Sequence, residues 1–192
     1  MKRIGLLGGT FNPIHIGHLA IAQKAVEECK LDKVYFIPCQ LPPHKRILSM
    51  APAAARLTMV RLAIRGNRYF DVSDSEIKRP GKSYSVDTIR YFRKRKPPSR
   101  LFFIVGGDNA SSLHTWKDIE QIAQWVTFII VNRPGHKIFV PKGIRYIGIT
   151  MPGIQVSASY IRRCLRHHRS AKYFLRDNVL AYIEKKKLYQ SS

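Results

Sequence analysis

Short apolar runs rich in β-branched residues alternate along this chain with longer stretches whose apolar positions recur every three to four residues. Lys2–Leu7, Val34–Pro38, Tyr69–Val72, Leu101–Val105, Val126–Val131 and Arg145–Ile149 read as strands. Their apolar residues are mostly continuous rather than alternating, which predicts burial on both faces. Gly17–Lys30, Pro52–Arg65 and Ser85–Arg95 have helical spacing and length. In the second, Leu57, Val60, Leu62 and Ile64 carry the apolar content, and Pro52 suits a first helical turn. Asp118–Trp125 predicts a shorter helix, and Ala158–His167 and Asn178–Lys187 two closing C-terminal helices. Strand–helix alternation of this kind implies right-handed βαβ units and a parallel sheet. The expectation is a doubly wound α/β domain, with Cys39–Ala51 and Lys78–Tyr84 as its longer loops.

Length and composition narrow this picture. A chain of 192 residues fits one domain with a real core, 1–192, and 45% hydrophobic content is ordinary for a globular protein. No apolar run is long enough for a membrane span, and the start of the sequence lacks the apolar stretch of a signal peptide, so a cytoplasmic protein is expected. Cys29, Cys39 and Cys164 are odd in number and show no CxxC spacing, so they read as small buried side chains. Lysine and arginine number 34 against 12 acidic residues, a formal net charge of +22. Such a surplus steers polyanions toward the surface. The basic runs Arg90–Lys96 and Lys185–Lys187 read as solvated helix ends, where cations suit the dipole, and no nucleic-acid-binding signature accompanies them.

The first strand leads directly into Gly8-Gly9-Thr10-Phe11-Asn12-Pro13-Ile14-His15-Ile16-Gly17-His18-Leu19. This is neither a P-loop nor a GxGxxG fingerprint, yet it has the parts of a phosphate site. Two glycines let backbone N–H groups approach an anion, and the helix starting near Gly17 adds its dipole. His15 and His18 share a face of the first turn, and Gly17 removes a Cβ where a ligand could press. A zinc pair is the alternative for two histidines, but no further ligand stands nearby at metal spacing, so no metal site is expected. Far along the chain, Ser157-Ala158-Ser159-Tyr160-Ile161-Arg162 is by itself an ordinary N-cap sequence. Its hydroxyls and N–H groups can also hold phosphate, with Arg162 reaching the same anion.

Together these two segments resemble the signatures of the HxGH nucleotidyltransferase superfamily, and the resemblance implies a Rossmann-like fold. It assigns ATP phosphates to Gly8, Gly9, Thr10, Phe11, His15, His18, Ser157, Ser159 and Arg162, with His15, His18 and Arg162 stabilising the transition state and Mg²⁺ accompanying ATP. Further segments resemble the bacterial nicotinate-nucleotide adenylyltransferases: Pro42-Pro43-His44-Lys45, Ser83–Thr88, Gly106-Gly107-Asp108-Asn109, Leu113–Lys117 and Asn132-Arg133-Pro134-Gly135. That resemblance implies mononucleotide contacts from His44, Lys45, Ser85, Asp108, Trp116, Lys117 and Arg133, Asp108 on a ribose hydroxyl and Trp116 stacked on the pyridine ring. The implied substrates are ATP and nicotinate mononucleotide. Asn12 departs from the family's usual aspartate and Ser159 from its usual threonine. Two alternatives remain open: a sister enzyme acting on nicotinamide mononucleotide or phosphopantetheine, and a basic nucleic-acid-binding protein on a disused nucleotide fold. The sequence is silent on oligomeric state.

Overall fold

The computed structural model describes residues 1–42, 50–95, 98–132 and 139–190. Six parallel strands form one sheet in the order β3-β2-β1-β4-β5-β6: β1 Lys2–Gly9, β2 Lys33–Pro38, β3 Phe70–Val72, β4 Ser99–Gly106, β5 Val126–Asn132 and β6 Tyr146–Thr150. The helices are α1 Ile16–Cys29, α2 Ala53–Ile64, α3 Ser85–Arg95, α4 Gly107–Ala110, α5 Ile119–Trp125, α6 Ala158–Arg166 and α7 Asp177–Lys185. A 3₁₀ turn, Leu113–Thr115, lies between α4 and α5.

Alternation within the strands feeds two cores. Leu7, Val34, Phe36, Phe102, Ile104, Ile129 and Val131 face one layer, against Ala22 and Val26 of α1, Met59 and Val60 of α2, Ile161 of α6 and Val179 of α7. Ile4, Leu6, Ile37, Phe103, Val105, Phe128 and Ile130 face the other, against Val86, Ile89 and Phe92 of α3 and Ile122 of α5. Helices on both faces make this the doubly wound α/β arrangement expected from the sequence. Each fully buried Leu, Ile or Phe contributes about 1.5–3 kcal/mol. Burial on both faces fails at the two edge strands, β3 and β6, in which Phe70 and Ile149 respectively are the buried residues.

Strand order reverses between β1 and β4: the chain steps outward through β2 and β3, then returns to the other side of β1. Crossovers leave in opposite directions from such a point and open a crevice at the carboxyl ends of the strands. The loops after β1 and β4 therefore face one another across the place where such sheets bind ligands.

Some details differ from the sequence-based expectation, while the cysteines and the basic run of α3 follow it. β1 runs on through Gly8 and Gly9, which pair with Ile37 and Pro38. The corner that follows is made by Phe11, in the left-handed region at φ 47°, and a cis Asn12–Pro13 bond. Pro52 is the N-cap of α2 rather than a residue of its first turn. The three cysteines are buried and unpaired by disulfide. Arg93, Lys94 and Arg95 occupy the last turn of α3, where Arg90 and Arg93 also lie over the Trp125 ring at 5.7 and 4.5 Å. Among the described residues no helix is long and apolar enough to cross a membrane.

Candidate active site

The histidine loop connects β1 to α1. His15 is the N-cap of α1, with extended backbone at φ −143°, so it precedes the helical face instead of lying on it. Its ring nevertheless stacks on that of His18, with centroids 3.7 Å apart and planes 30° from parallel. The His15 backbone N–H donates to His18 Nδ1 at 3.2 Å. That bond makes Nδ1 an acceptor and leaves the proton of neutral His18 on Nε2, ready to donate. His15 Nδ1 is buried with no hydrogen-bond partner. Burial holds His15 down at about 4, against a usual 6.5. Burial, followed by the neighbouring His15, places His18 well below its usual value. Both rings are therefore neutral donors at pH 7.

The glycines of the loop serve packing as much as ligand access. A Cβ on Gly17 would stand 3.1 Å from His15 Nδ1 and 3.1 Å from Val156. The space that the sequence reading left for a ligand is taken by the His15 ring and by the approach to α6. Phe11 is 2% exposed, its ring edge-on to His18 at 5.1 Å, so it packs against the histidine pair and offers a nucleotide no side-chain surface.

Arg162 on α6 reaches across to this loop. Its Nη1 donates to the Asn12 carbonyl at 2.8 Å and its Nη2 to Ser159 Oγ at 3.3 Å. Ser157 is the N-cap of α6, and its Oγ accepts from the Tyr160 N–H at 3.2 Å, the ordinary capping role. Ser159 and Arg162 are thus brought to the histidine loop as expected, while the Ser157 hydroxyl is engaged within its own helix.

Sequence reasoning missed Arg56, which is fully buried in α2. Its Nη1 donates to the Thr10 carbonyl at 2.8 Å, its Nε to Ala51 at 3.0 Å and its Nη2 to Gln40 at 3.2 Å. One guanidinium thereby ties the histidine loop to the segment after β2 and the start of α2. A helical-period reading places an arginine at the solvent face, and nothing local marks this one as buried.

The loop after β4 lies on the other side of the crevice. Asp108 is exposed in the first turn of α4. A Cβ on Gly107 would meet Asn132 Oδ1 at 2.5 Å, so glycine is required for β5 to pack against this turn. Trp116 is half-buried, edge-on to Phe103 at 5.4 Å and Phe128 at 6.1 Å. Lys117 Nζ stands 4.9 Å from the centre of the Tyr84 ring, joining the Trp116 segment to the start of α3, where Ser85 is the first helical residue.

That start is braced by Glu76, 5% exposed and also missed from sequence. Glu76 accepts hydrogen bonds from Thr88 Oγ1 and Ser83. Burial raises its carboxyl above the usual range against those bonds. Ser83 Oγ in turn accepts from the Gln40 N–H at 2.9 Å. His44, Lys45 and Arg133 lie outside the described residues.

Among the described residues no three His, Cys, Asp or Glu side chains are grouped to hold a metal ion. Both charged groups described above as bonded to the histidine loop are cations: Arg162, whose guanidinium suits phosphate oxygens, and Arg56, which is buried on backbone carbonyls.

Known proteins resemble this chain in sequence and in fold. Residues 6–164 match the cytidylyltransferase-like family. A relative in Exiguobacterium sibiricum named "Probable nicotinate-nucleotide adenylyltransferase" is 43% identical over 97% of this chain and 98% of its own length. One of the same name in Halalkalibacterium halodurans is 42% identical over all of this chain and 93% of its own. The fold matches Plasmodium falciparum nicotinic acid mononucleotide adenylyltransferase complexed with NaAD, at a TM-score of 0.81, 19% identity and 98% coverage of both chains. The same enzyme complexed with APC superposes at a TM-score of 0.80 with 20% identity. The chain belongs to the cytidylyltransferase-like family and, within it, to the nicotinate-nucleotide adenylyltransferases.

Proposed function

We propose that this protein transfers AMP from ATP to nicotinate mononucleotide, releasing pyrophosphate and forming nicotinate adenine dinucleotide, a step of NAD biosynthesis. The observation that carries the reading is the stacked His15–His18 pair at the start of α1, with Arg162 bonded to the same loop through the Asn12 carbonyl. A phosphate monoester has its second pKa near 6, so the mononucleotide phosphate is already a nucleophile at pH 7. One of its oxygens attacks the α-phosphorus of ATP in line. The new P–O bond forms as the α–β anhydride bond breaks, and the electron pair leaves with pyrophosphate. No protein nucleophile or strong base is required, so the chain contributes position and charge.

His15 and His18 donate N–H bonds to the triphosphate, whose charge favours their protonated forms against the cost of burial. The backbone of Gly8, Gly9, Thr10 and Phe11, with Ser157, Ser159 and Arg162, completes the triphosphate side. Mg²⁺ arrives with ATP and neutralises the departing pyrophosphate. Asp108 holds a ribose hydroxyl, Trp116 stacks on the pyridine ring, and Ser85 with Lys117 receives the carboxylate. The Lys117 ammonium beside Tyr84 supports an anionic acceptor over the neutral amide of nicotinamide mononucleotide.

Pyrophosphate release with ATP and Mg²⁺, using nicotinate mononucleotide, nicotinamide mononucleotide and phosphopantetheine as acceptors, tests the reading. The expected result is release chiefly with nicotinate mononucleotide and a large loss in His18→Ala with the fold intact. Preference for another acceptor overturns the pocket assignment, and a fully active His18→Ala overturns the role of the loop.

A further inference from the structure

The segment after α7 returns to the histidine loop. Its backbone closes α7 with Lys187 N–H donating to Glu184 at 3.0 Å and Leu188 N–H to Ile183 at 3.0 Å. This is the paired bonding of a Schellman turn. Lys187 and Tyr189 both hold left-handed backbone, φ 49° and 65°, which a side chain adopts only when its surroundings compel it. The turn carries the Tyr189 ring inward against the core beneath α1 and α2, and its hydroxyl donates to Asn12 Oδ1 at 2.7 Å, across 177 residues.

The end of the Asn12 amide that receives this bond is fixed independently. The Ala51 N–H donates to the same oxygen at 3.0 Å, and a backbone N–H faces only an acceptor. Asn12 is therefore held through its side chain by Tyr189 and Ala51, and its carbonyl in turn holds Arg162. The Tyr189 hydroxyl also feels the charges of both Arg162 and Arg56. A carboxylate at position 12 would bind such guanidinium groups by charge alone. The neutral amide leaves their charge for an incoming triphosphate, and its placement depends on directional hydrogen bonds.

We propose that Tyr189 is a positioning residue for the triphosphate half of the reaction: through Asn12 it fixes Arg162 and the loop leading to His15. This rests on the adenylyl-transfer reading above. The test is Tyr189→Phe, which keeps the ring and removes only the donor. Steady-state pyrophosphate release should show kcat/KM for ATP reduced about three- to tenfold, the worth of one hydrogen bond. KM for nicotinate mononucleotide should stay within about twofold, and the melting temperature should fall by no more than about 6 °C, the most that one lost hydrogen bond costs in a domain of this size. In an Arg162→Ala background the same change should add little further loss, because the route through Arg162 is already gone.

Unchanged ATP kinetics overturn the proposal, as does a loss shared equally by both substrates or a full multiplicative loss in Arg162→Ala. If the parent protein releases no pyrophosphate, the adenylyl-transfer reading falls. Calorimetric ATP–Mg²⁺ affinity then decides on Tyr189 alone: weaker binding in Tyr189→Phe sustains its role, and equal binding refutes it.

Discussion

Replacing Arg56 tests how the triphosphate loop is held up from beneath. The side chain is fully buried, and it donates hydrogen bonds to three backbone carbonyls, at 2.8, 3.0 and 3.2 Å. Bonds from a charged donor contribute about 1.5–3 kcal/mol each, so the three together are worth roughly 4.5–9 kcal/mol before costs. Against this stands the desolvation of a guanidinium, several kcal/mol in a real protein. Arg56→Ala removes both quantities but strands the carbonyls of Thr10, Gln40 and Ala51 and leaves a cavity. The net loss expected is about 3–5 kcal/mol. At about 2–4 °C per kcal/mol for a domain of this length, the melting temperature should fall by roughly 6–20 °C. Arg56→Lys retains the charge but cannot reach three separate carbonyls, and should lose a smaller part of that stability. Urea unfolding, with the slope compared between variants, gives the free energy, and pyrophosphate release gives the accompanying loss of ATP affinity through Thr10. A stability change below about 1 kcal/mol in Arg56→Ala would refute the reasoning, because it would mean that water satisfies those carbonyls as well as the guanidinium does.

The buried histidines make stability depend on pH. Their folded-state pKa values are depressed, so below pH 6.5 the unfolded chain takes up protons that the folded chain refuses, and stability should fall between pH 6.5 and about 4. For His15 the gap between 6.5 and about 4 is worth about 3 kcal/mol, measurable as melting temperature against pH, and saturating ATP–Mg²⁺ should flatten the curve. Trp116→Ala should raise KM for the mononucleotide about tenfold, within the 1–3 kcal/mol of a base stacked on an aromatic ring, and an unchanged KM would leave Trp116 as packing for Phe103 and Phe128. Lys187→Gly relieves a left-handed residue at the end of α7 and should stabilise by about 1 kcal/mol, raising the melting temperature by roughly 2–4 °C. A fall in thermal unfolding would count against that strain.

The strands and the longer helices were legible because apolar periodicity is a local signal, and all six strands fall within a few residues of where the pattern puts them. The four-residue α4 was not, since Gly107–Ala110 has no room for a period. In the site, His15 and His18 were readable because a strand, a glycine pair and a helix start stand together in sequence, and Arg162 because its serine-rich helix start resembles the family's second signature. Arg56, Glu76 and Tyr189 were not, because each acts through contacts with distant backbone or side chains. A charged residue on a helix, an acid in a loop and a tyrosine near a helix end all have bland local explanations. Their importance is visible only once Thr10, Thr88 and Asn12 are seen beside them. The departure at Asn12 shows the same limit: the sequence marks a missing charge, whereas the structure shows an acceptor shared by two donors.

The contact between Tyr189 and Asn12 also sets an order of events during biosynthesis. Translation delivers residue 12 first and residue 189 after a further 177 positions, roughly 9–35 s later at 5–20 residues per second. A growing polypeptide can hydrogen-bond β1 to β2 and cover them with α1 and α2 while still on the ribosome. Its nucleotide loop lacks Arg162 until α6 emerges, and lacks the hydroxyl that holds Asn12 until the turn beyond α7 follows. Nascent chains ending before α6 would thus carry the whole histidine signature without the arginine bonded to its loop, and those ending before the turn would have Arg162 without the hydroxyl that holds Asn12.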